Sequence, residues 1–385
     1  MADAPLKGLK VLELARILAG PWVGQTLSDL GAEVVKVESP WGDDTRIWGP
    51  PFVTREDGSQ ADAAYFHACN RGKKSVVIDF TTPEGQEQVR KLAMQSDVLV
   101  ENFKLDGLKK YGLDYDSLHK INPKLVYCSI TGFGQTGPYA AFPGYDFIIQ
   151  GMAGIMDLTG DPEGEPQKMG MAFADIFTGL YSVIAIQAAL HQRQSTGLGQ
   201  HIDMSLLDSM VGVLGNQALG YLVSGKVPKR MGNAHPSIVP YQVFPTSDGH
   251  LIVAVGNDGQ FGHFCAALKL PELAQQAEYL TNADRVANRD VLSQILSDQT
   301  SQITSDDLLE LLESVGVPVG AINAMDQVFA DPQVVARDMQ ISVKTRDGML
   351  PGVRSPMTFS GADLNLETGA PGLGEHTDEI LKRLK

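Results

Sequence analysis

The sequence predicts an α/β protein in which helices cover both faces of a parallel β-sheet. Up to about residue 131, short apolar runs typical of buried strands alternate with longer helix-like runs, as such a sheet requires. The chain has 385 residues, and a single hydrophobic core rarely grows to that size. After Asp146 the alternation gives way to apolar helical runs and turn-rich segments. These observations predict a large α/β domain and a second unit.

The first βαβ unit is predicted from the residues at its boundaries. Residues 10–14 are typical of a buried strand, and Gly20-Pro21 opens a helix because proline suits the first helical position. Gly31 closes that helix, and residues 33–38 form the next strand. The elements predicted after this unit are a strand over 75–80, a helix from Thr82 to Gln95, a strand over 98–101, a helix over 116–120 and a strand over 125–131.

The later part of the chain is predicted to be mostly helical. Residues 225–245 are rich in turn formers and resemble a crossover into the second unit. Before it we predict helices over 147–158, from Asp175 onward and over 204–223. After it we predict a strand over 250–255, helices over 261–268, 284–298 and 305–315, a short helix at Asp331-Pro332, a strand pair over 341–359 with turns at Gly348 and Gly352, and a final helix near Thr377.

Charge and composition exclude several classes of protein. The net charge of -15 disfavours binding to nucleic acid or to an anionic membrane, so an anionic ligand must be held by local cations and helix N-termini. Three widely spaced cysteines and the absence of H-E-x-x-H indicate neither a metal site nor a disulfide framework. The first residues lack a signal-peptide pattern, and the apolar run over 176–190 is shorter than the about 18 residues of a membrane span. A cytoplasmic location is therefore expected.

Two small basic clusters offer sites for phosphate groups. Residues 70–74 combine Arg71 with two lysines just before a strand, and Lys109-Lys110 follows another. A solvated turn and a phosphate contact explain the first cluster equally well. The first βα turn lacks the G-x-G-x-x-G fingerprint, so a tight turn is its simpler interpretation, although ligands do collect at the carboxyl ends of parallel strands. If both clusters lie on that rim, they would suit a phosphorylated nucleotide such as coenzyme A.

Asp175 stands alone at the start of an apolar helical run. A buried charge is costly unless it is paired or used, and only small or apolar residues flank this one. The carboxylate is either a helix cap, which is the simpler interpretation, or a nucleophile kept ionised by the helix N-terminus. The glycine-rich loop over 132–138 lets backbone approach a ligand, and Asp146 after it is explained by capping of the next helix.

Several segments resemble the class III coenzyme A transferases (family III, CaiB/BaiF), in order along essentially the whole chain. The resemblance implies that Asp175 is the nucleophile and that no tightly bound cofactor or metal is needed, coenzyme A being a substrate. The segments over 43–53, 128–131 and 237–242 point to members that act on dicarboxylic acids. The segments that carry the family resemblance are residues 12–16, 19–21, 31–38, 101–103, 129–134, 170–179 and 373–377.

The resemblance also implies binding residues. Some are carried over from the family position by position, and others are added from the basic clusters and the glycine loop. The residues expected to bind coenzyme A are Arg16, Leu18, Ala19, Lys74, Asn102, Phe103, Lys110, Gly134, Tyr145 and Asp146. A dicarboxylic acid needs a cation for its far carboxylate, and Arg46, Arg71 and Arg230 are the candidates. The polyglycine loop of some members is replaced here by residues 232–238.

The family implies an interlocked-ring homodimer. Its Rossmann-like large domain would comprise residues 1–200 and a return segment over 326–385, with a linker helix over 201–228 and a smaller α+β domain over 229–325. The expected activity transfers coenzyme A from succinyl-CoA or a similar dicarboxyl-CoA to a free acid. The alternatives are a 2-methylacyl-CoA racemase or epimerase, and a non-catalytic CoA-binding protein. Tyr145 stands where the racemases have a histidine of a His-Asp pair, and tyrosine is a poor base at neutral pH, which argues against racemisation.

Overall fold

The computed structural model describes residues 3–55 and 57–384. The strands in this part of the chain are β1 Lys10–Glu13, β2 Glu33–Glu38, β3 Phe52–Thr54, β4 Gln60–Ala63, β5 Lys74–Val77, β6 Val98–Glu101, β7 Val126–Thr131, β8 His201–Ser205, β9 Tyr241–Pro245, β10 His250–Ala254, β11 Val319–Ala321, β12 Gln340–Thr345 and β13 Gly348–Val353.

The α-helices follow in chain order, and four short 3-10 helices lie between them. The α-helices are α1 Ala19–Asp29, α2 Ala64–Ala68, α3 Pro83–Met94, α4 Tyr115–Ile121, α5 Asp146–Met152, α6 Ile155–Leu158, α7 Phe173–Thr196, α8 Leu206–Val213, α9 Gly215–Ser224, α10 Asp258–Ala267, α11 Asn282–Ala287, α12 Arg289–Thr300, α13 Ser305–Ser314, α14 Met325–Ala330, α15 Pro332–Ala336 and α16 Thr377–Lys382. The 3-10 helices are Asp44–Ile47, Lys109–Tyr111, Pro271–Gln275 and Ala277–Tyr279.

A six-stranded parallel sheet organises the first compact unit, which confirms the predicted α/β fold. Its strand order is β5-β2-β1-β6-β7-β8, and every neighbouring pair is parallel. The β3-β4 hairpin lies outside this sheet. When the six strands of the sheet are numbered 1 to 6 along the chain, their order is 3-2-1-4-5-6, which is that of a doubly wound nucleotide-binding sheet. The order reverses between β1 and β6, so a crevice opens there at the carboxyl ends of these two strands.

Two apolar cores cover the two faces of this sheet. Because side chains alternate along a strand, Val11 belongs to one core and its neighbour Leu12 to the other. Helices α1, α7 and α8 pack on the first face, and α3, α4 and α16 pack on the second. Apart from their ends, the inner strands β1, β6 and β7 are buried on both faces, which is why they read as continuous apolar runs in the sequence.

The carboxyl-terminal segment belongs to the same unit. The first unit consists of the described residues of Met1–Met156, Lys168–Lys226 and Pro332–Lys385. Near the end of the chain, Thr377 Oγ1 accepts a hydrogen bond from the Val77 backbone N–H at 3.0 Å, and Ser75 Oγ accepts one from Gly374 N–H at 2.9 Å. These contacts attach the segment over 373–377 to the edge strand β5.

The second unit comprises Asp157–Gln167 and Val227–Asp331. Its antiparallel sheet has the order β11-β10-β9, and α10 to α13 contribute to a separate apolar core that includes Phe244, Phe264 and Leu296. Arg285 is fully buried in this unit and donates to the carbonyl of Val239 at 2.7 Å and to Asp258 at 2.7 Å.

Two predicted elements differ from the structure. Residues 201–228 were expected to form a linker helix, but 201–205 form β8, the sixth strand of the large sheet, and α8 and α9 follow. The helix cannot begin earlier because Ser205 caps it, accepting a hydrogen bond from Asp208 N–H at 3.2 Å. Gly352 was expected in a turn, but it lies within β13 opposite Ile341; the single turn joins β12 to β13 just before Gly348.

Helix α7 is longer than the apolar run suggested. With 24 residues it is the one described helix long and apolar enough to cross a membrane, a test that core helices also pass. Here Ala174, Ile186 and Ala189 of α7 lie in the core beneath the sheet, and α7 packs against α1.

Candidate active site

A cleft of about 460 Å³ lies where the strand order reverses. The segments that follow β1 and β6 form two of its walls, and the end of β7 with the loop after it forms another. This is the position at which open parallel sheets bind their ligands. The residues that line the cleft are Arg16, Ile17, Leu18, Ala19, Asp44, Trp48, Asn102, Phe103, Lys104, Leu105, Ile130, Thr131, Gly132, Ala140, Phe142, Pro143, Gly144, Tyr145, Asp146, Asp175 and Leu206.

Asp175 lies on the wall of this cleft, in the first turn of α7. It is the third residue of the helix, and the N-cap position is held by Ala172, whose side chain cannot cap. No hydrogen bond or cation of the described residues acts on the carboxylate; burial and the charge of Asp146 are the influences on it. Capping therefore does not explain Asp175, which leaves its carboxylate free for chemistry.

Asp146 supplies the missing cap from a different element. Its Oδ1 accepts hydrogen bonds from the backbone N–H groups of Ala174, at 2.7 Å, and Asp175, at 3.3 Å. Its Oδ2 accepts one from Gln150 Nε2 at 2.7 Å, and Gln150 in turn accepts one from Met169 N–H at 2.9 Å. The expected capping of its own helix is not seen, since no side chain caps α5. Asp146 thus fixes the start of α7, and with it the position of Asp175.

Two glycines allow this arrangement. A Cβ atom on Gly132 would lie 2.5 Å from Cα of Gly144, and one on Gly144 would lie 2.5 Å from Cα of Gly132. Any larger residue at either position would push the two backbones apart. The close approach brings residues 143–146 against the end of β7, which places Asp146 beside the first turn of α7.

Burial shapes the electrostatics of the cleft. Burial, reinforced by the charge of Asp146, raises the pKa of Asp175 to about 7. Burial also raises the pKa of Tyr65 to about 12, with the charge of Asp175 as the next contribution, so this phenol lies within reach of the carboxylate's field and stays protonated. Tyr65 packs edge-on against the cleft residue Trp48, with ring centroids 5.6 Å apart.

The structure brings most of the expected binding residues to Asp175. Those that line the cleft with it are Arg16, Leu18, Ala19, Asn102, Phe103, Tyr145 and Asp146. Asn102 also ties the walls together: its Oδ1 accepts from Arg16 N–H at 2.9 Å and its Nδ2 donates to Arg16 O at 2.6 Å. The same amide cannot offer those two atoms to a ligand without releasing the backbone of Arg16.

Three expected binding residues are not among those that line the cleft. Lys74 contacts Glu379 at 3.0 Å and Glu33 at 3.4 Å, and Lys110 is exposed with its Nζ 4.7 Å from the ring centre of Tyr111. Gly134 donates its N–H to Thr131 Oγ1 at 2.9 Å, and the next N–H in the glycine loop, that of Gln135, is bound by Asp203. Both N–H groups already donate hydrogen bonds within the chain. Neither is therefore free to stabilise the negatively charged oxygen of a reaction intermediate.

The three arginines considered for a distal carboxylate are all bound by acceptors of this chain. Arg46 is buried between Glu38 and Asp62, Arg71 forms a two-pronged ion pair with Asp29, and Arg230 donates to the carbonyls of Asp157, Asp161 and Gly164.

The segment over 232–238 is held within the second unit. Arg289 donates hydrogen bonds to the carbonyls of His235, at 2.8 Å, and Pro236, at 2.9 Å.

Sequence reasoning missed two groups, one that lines the cleft and one that lies behind its wall. Lys104 is an exposed cation directly after Asn102-Phe103, and its place after a strand could have identified it. Glu101, at the end of β6, is buried and accepts a hydrogen bond from Phe103 N–H at 2.8 Å; burial raises its pKa to about 7. It supports the backbone that carries Phe103, a role that only the folded structure reveals.

Among residues 3–55 and 57–384, no group of three or more histidine, cysteine or carboxylate side chains is arranged to hold a metal ion. Cys69, Cys128 and Cys265 are buried and free, and burial raises the pKa of each thiol to about 12. Since a thiolate is the reactive form, these cysteines are poor candidates for a nucleophile.

Known proteins resemble this chain over nearly its whole length. The family model described as CoA-transferase family III matches residues 6–377. The chain is 56% identical over 383 residues to the succinate–glutarate CoA-transferase of Agrobacterium fabrum, covering 99% of this chain and 96% of that one, and 43% identical to the human succinyl-CoA:glutarate CoA-transferase, covering 99% and 86%. A crystal structure of a CaiB/BaiF family protein from Brucella suis superimposes with a TM-score of 0.89 at 62% identity over the whole of both chains. The chain therefore belongs to CoA-transferase family III.

Proposed function

We propose that this protein transfers coenzyme A from succinyl-CoA, or a similar dicarboxyl-CoA, to a small free carboxylic acid, with Asp175 as the nucleophile. The observation that carries the proposal is the unpaired Asp175 carboxylate on the wall of the cleft, on a helix capped by another residue. Relatives with the printed names succinate–glutarate and succinyl-CoA:glutarate CoA-transferase support the choice of a dicarboxylic donor and acceptor.

The reaction divides one acyl exchange into four steps. An oxygen of Asp175 attacks the thioester carbon, the C–S bond breaks, and an acyl–aspartyl anhydride forms with release of CoA thiolate. The thiolate attacks the aspartyl carbonyl carbon, which frees the donor acid and leaves an aspartyl-CoA thioester. The acceptor carboxylate attacks the aspartyl carbonyl of that thioester, the C–S bond breaks, and a second anhydride forms with release of the thiolate. The thiolate then attacks the acceptor carbonyl carbon, and the bond to the aspartyl oxygen breaks. The new acyl-CoA leaves, and Asp175 is again a carboxylate; no proton or water is consumed.

The raised pKa of Asp175 suits this sequence of steps. A carboxylate that holds its proton more tightly is also a better nucleophile toward a carbonyl carbon, provided that enough of it is ionised. With a pKa of about 7, roughly half of Asp175 is ionised at neutral pH. Burial thus makes the group more reactive without the help of a neighbouring base.

The cations of the cleft are Arg16 and Lys104. Both side chains are exposed, and Arg16 contacts Asp44 at 2.9 Å. We propose that they serve the negative groups of the substrates, which are the phosphates of coenzyme A and the far carboxylate of a dicarboxylic acid. Arginine is the better partner for the carboxylate because its planar fork can form two parallel hydrogen bonds.

We also propose a cytoplasmic homodimer of interlocked rings. Apolar side chains stand exposed on α7 and α9, among them Ile184, Leu219, Leu222 and Val223. Apolar side chains that are exposed close together on a helix, as Leu219, Leu222 and Val223 are on α9, are typical of surfaces that pack against another protein. The molar mass from light scattering decides the oligomeric state, since a value near 41.5 kDa would exclude a dimer.

Trapping the covalent intermediate tests the function. The protein is incubated with succinyl-CoA without an acceptor acid and then treated with hydroxylamine, which converts an activated carboxyl group into a stable hydroxamate. We expect peptide mass spectrometry to find the hydroxamate on Asp175 and none on Asp146, its neighbour in the cleft. A modification on any other residue, or none at all, contradicts the mechanism. A panel of free mono- and dicarboxylic acids, with product CoA esters identified by mass, then defines the acceptor.

The pH dependence of the reaction provides a second test. Because the carboxylate form is the nucleophile, kcat/KM should rise with pH up to about 7 and then level off. Asp146→Asn removes the second cause of the raised pKa of Asp175, so the rise should move to lower pH. The amide oxygen can still cap α7, so the helix should keep its start.

Asp44→Asn is the matched control for the pH profile. Asp44 lines the same cleft, but its charge is not among the causes of the raised pKa of Asp175. The rise in kcat/KM should therefore stay near pH 7 in this variant. Equal profiles for Asp146→Asn and the wild type would show that another group controls the rise.

A further inference from the structure

The loop between β1 and α1, residues 14–18, carries an unusual backbone conformation into the cleft. Ile17 has a φ of +71°, in the left-handed region that β-branched residues avoid. Arg16, Ile17 and Leu18 of this loop all line the cleft. A strained residue of this kind persists only where its surroundings hold it, and such residues are concentrated at functional sites.

Side chains from three other segments hold the backbone of this loop, and two of them, Lys36 and Asp43, are buried. Lys36 Nζ donates to Ala15 O at 2.8 Å, and Asn102 pairs with both the N–H and the carbonyl of Arg16. The carboxylate of Asp43 accepts a hydrogen bond from Ile17 N–H, at 3.2 Å to Oδ2 and 3.3 Å to Oδ1. The strained residue is therefore fixed through its own N–H by Asp43.

Lys36 and Asp43 form one unit beneath the loop. Lys36 Nζ lies 2.9 Å from Asp43 Oδ2, and both side chains are only 1% exposed. Burial disfavours the charge on each, but the pKa of Lys36 is held above its usual value by its carboxylate neighbours and that of Asp43 below its usual value, chiefly by Lys36. Both groups therefore stay charged, and neither lines the cleft.

Asp43 also fixes a second wall of the cleft. Its Oδ1 accepts hydrogen bonds from Thr45 N–H, at 3.0 Å, and Thr45 Oγ1, at 2.8 Å, and so caps the 3-10 helix Asp44–Ile47. Asp44 at the start of this helix and Trp48 just after it line the cleft. One buried carboxylate thus connects two cleft walls that lie about 26 residues apart in the chain.

We propose that Asp43, held by Lys36, is a positioning residue for acyl-CoA. It keeps Ile17 in the left-handed conformation, so that Arg16, Leu18 and Ala19 face the thioester substrate in the geometry that binds it. The inference rests on the proposed function, because it assumes that the cleft binds acyl-CoA. It adds a buried pair that acts on substrate affinity without touching the substrate.

A rescue experiment tests the positioning role, with succinyl-CoA as donor and glutarate as acceptor. Asp43→Ala should raise KM for succinyl-CoA about tenfold or more, while kcat falls by a smaller factor. Glycine adopts the left-handed region readily. Adding Ile17→Gly to Asp43→Ala should therefore lower the raised KM at least about threefold. A role in overall stability alone would give no such recovery in KM.

Asp97→Ala is the matched control. Asp97 likewise accepts a backbone N–H, from Lys10 at 3.0 Å, and contacts a cation, Arg193 at 3.0 Å, but it lies at the amino ends of the strands, away from the cleft. Its loss should lower stability and leave KM unchanged. If Asp43→Ala does not fold, Asp43→Asn serves instead, with a smaller expected rise in KM of about threefold to tenfold.

The outcomes separate the two proposals. An unchanged KM in the Asp43 variant, or a raised KM that Ile17→Gly does not lower, overturns the positioning role. A wild-type protein that forms no adduct on Asp175 overturns the proposed function instead. The positioning role is supported only when the wild type transfers coenzyme A and the double variant recovers affinity.

Discussion

Asp175→Asn is expected to abolish CoA transfer and, at the same time, to make the protein more stable above pH 7. An amide cannot form the anhydride, so turnover should fall by at least about 10³-fold, as is common when a nucleophile is removed. The residues that line the rest of the cleft are unchanged, so binding of free coenzyme A should persist. The two effects have one cause, which is the location of an unpaired carboxylate on a partly buried wall.

The gain in stability follows from the sign of the pKa change. The pKa of Asp175 rises from its usual 3.8 to about 7 on folding, so the folded chain holds the proton more tightly than the unfolded chain. Stability is therefore lost as pH rises from about 4 to 7, and the full cost is present above 7. A pKa change of this size corresponds to about 4 kcal/mol of folding free energy, at about 1.4 kcal/mol per pKa unit. Because the carboxylate is partly exposed to the cleft, the stability gained by Asp175→Asn is expected to be about 1–2 kcal/mol.

Thermal unfolding at two pH values checks this expectation. For a chain of this length, Asp175→Asn should raise Tm by about 1–3 °C at pH 8 and by much less at pH 4.5. Asp306→Asn is the control, since Asp306 is an exposed carboxylate in the first turn of α13. There the helix N-terminus favours the negative charge, so this change should be neutral or slightly destabilising. If the Tm of Asp175→Asn at pH 8 is at or below that of the wild type, the ionised Asp175 carboxylate does not destabilise the fold.

The location of Asp175 could be predicted because a local pattern carries the information. A single carboxylate before an apolar helical run, with no partner nearby in the sequence, already signals an uncompensated charge. Alternation also predicted a parallel sheet, and the residues after β1 and β6 do line a cleft at its carboxyl ends. The expectation that residues 70–74 share this rim was wrong, because they lie at the amino end of β5. The resemblance to the family added the nucleophilic role.

The partners of these residues could not be predicted, because they are distant in the sequence. Asp146 caps a helix that begins 27 residues later, and nothing near it in the chain indicates this. Lys36 and Glu13 read as ordinary charged residues within strands, yet both are buried. β8 was assigned to a helix because its apolar residues merge with the following helical run, and only its pairing with β7 identifies it as a strand.

Glu13→Gln is expected to have the largest effect on stability. Glu13 is fully buried at the end of β1, where it contacts two buried cations: Lys36 at 3.0 Å and Lys73 at 2.8 Å. A Cβ atom on Gly24 of α1 would lie 1.8 Å from Glu13 Oε2, so the helix has a glycine where the carboxylate must fit. Removing the charge leaves one carboxylate fewer for two buried ammonium groups. Breaking a buried ion pair from one side costs about 3–5 kcal/mol.

Lys36 and Lys73 differ in the hydrogen-bond acceptors that they keep in the Glu13→Gln variant. Lys36 keeps Asp43 at 2.9 Å, whereas the other acceptors of Lys73 are the neutral oxygens Asn70 Oδ1 and Pro21 O, each at 2.8 Å. The loss should therefore fall mainly on Lys73, and Lys73→Met in the Glu13→Gln background should restore part of the stability. Urea unfolding of both single variants and the double variant measures this coupling. Glu33→Gln is the control, because Glu33 contacts Lys74 and Arg383 at the surface and should cost less than about 1 kcal/mol.

The pH dependence identifies the lysine responsible. Burial already holds the pKa of Lys73 below its usual 10.5, and the charge of Glu13 opposes that effect. Without Glu13 the pKa of Lys73 falls further, so the unfolded chain binds more protons than the folded chain over a wider range below 10.5. Stability then rises with pH across that range, and the deficit of Glu13→Gln relative to the wild type should shrink between pH 6 and pH 9. A deficit that is independent of pH would instead indicate lost packing, and a stability equal to that of Glu33→Gln would show that the buried pair contributes no more than a surface one.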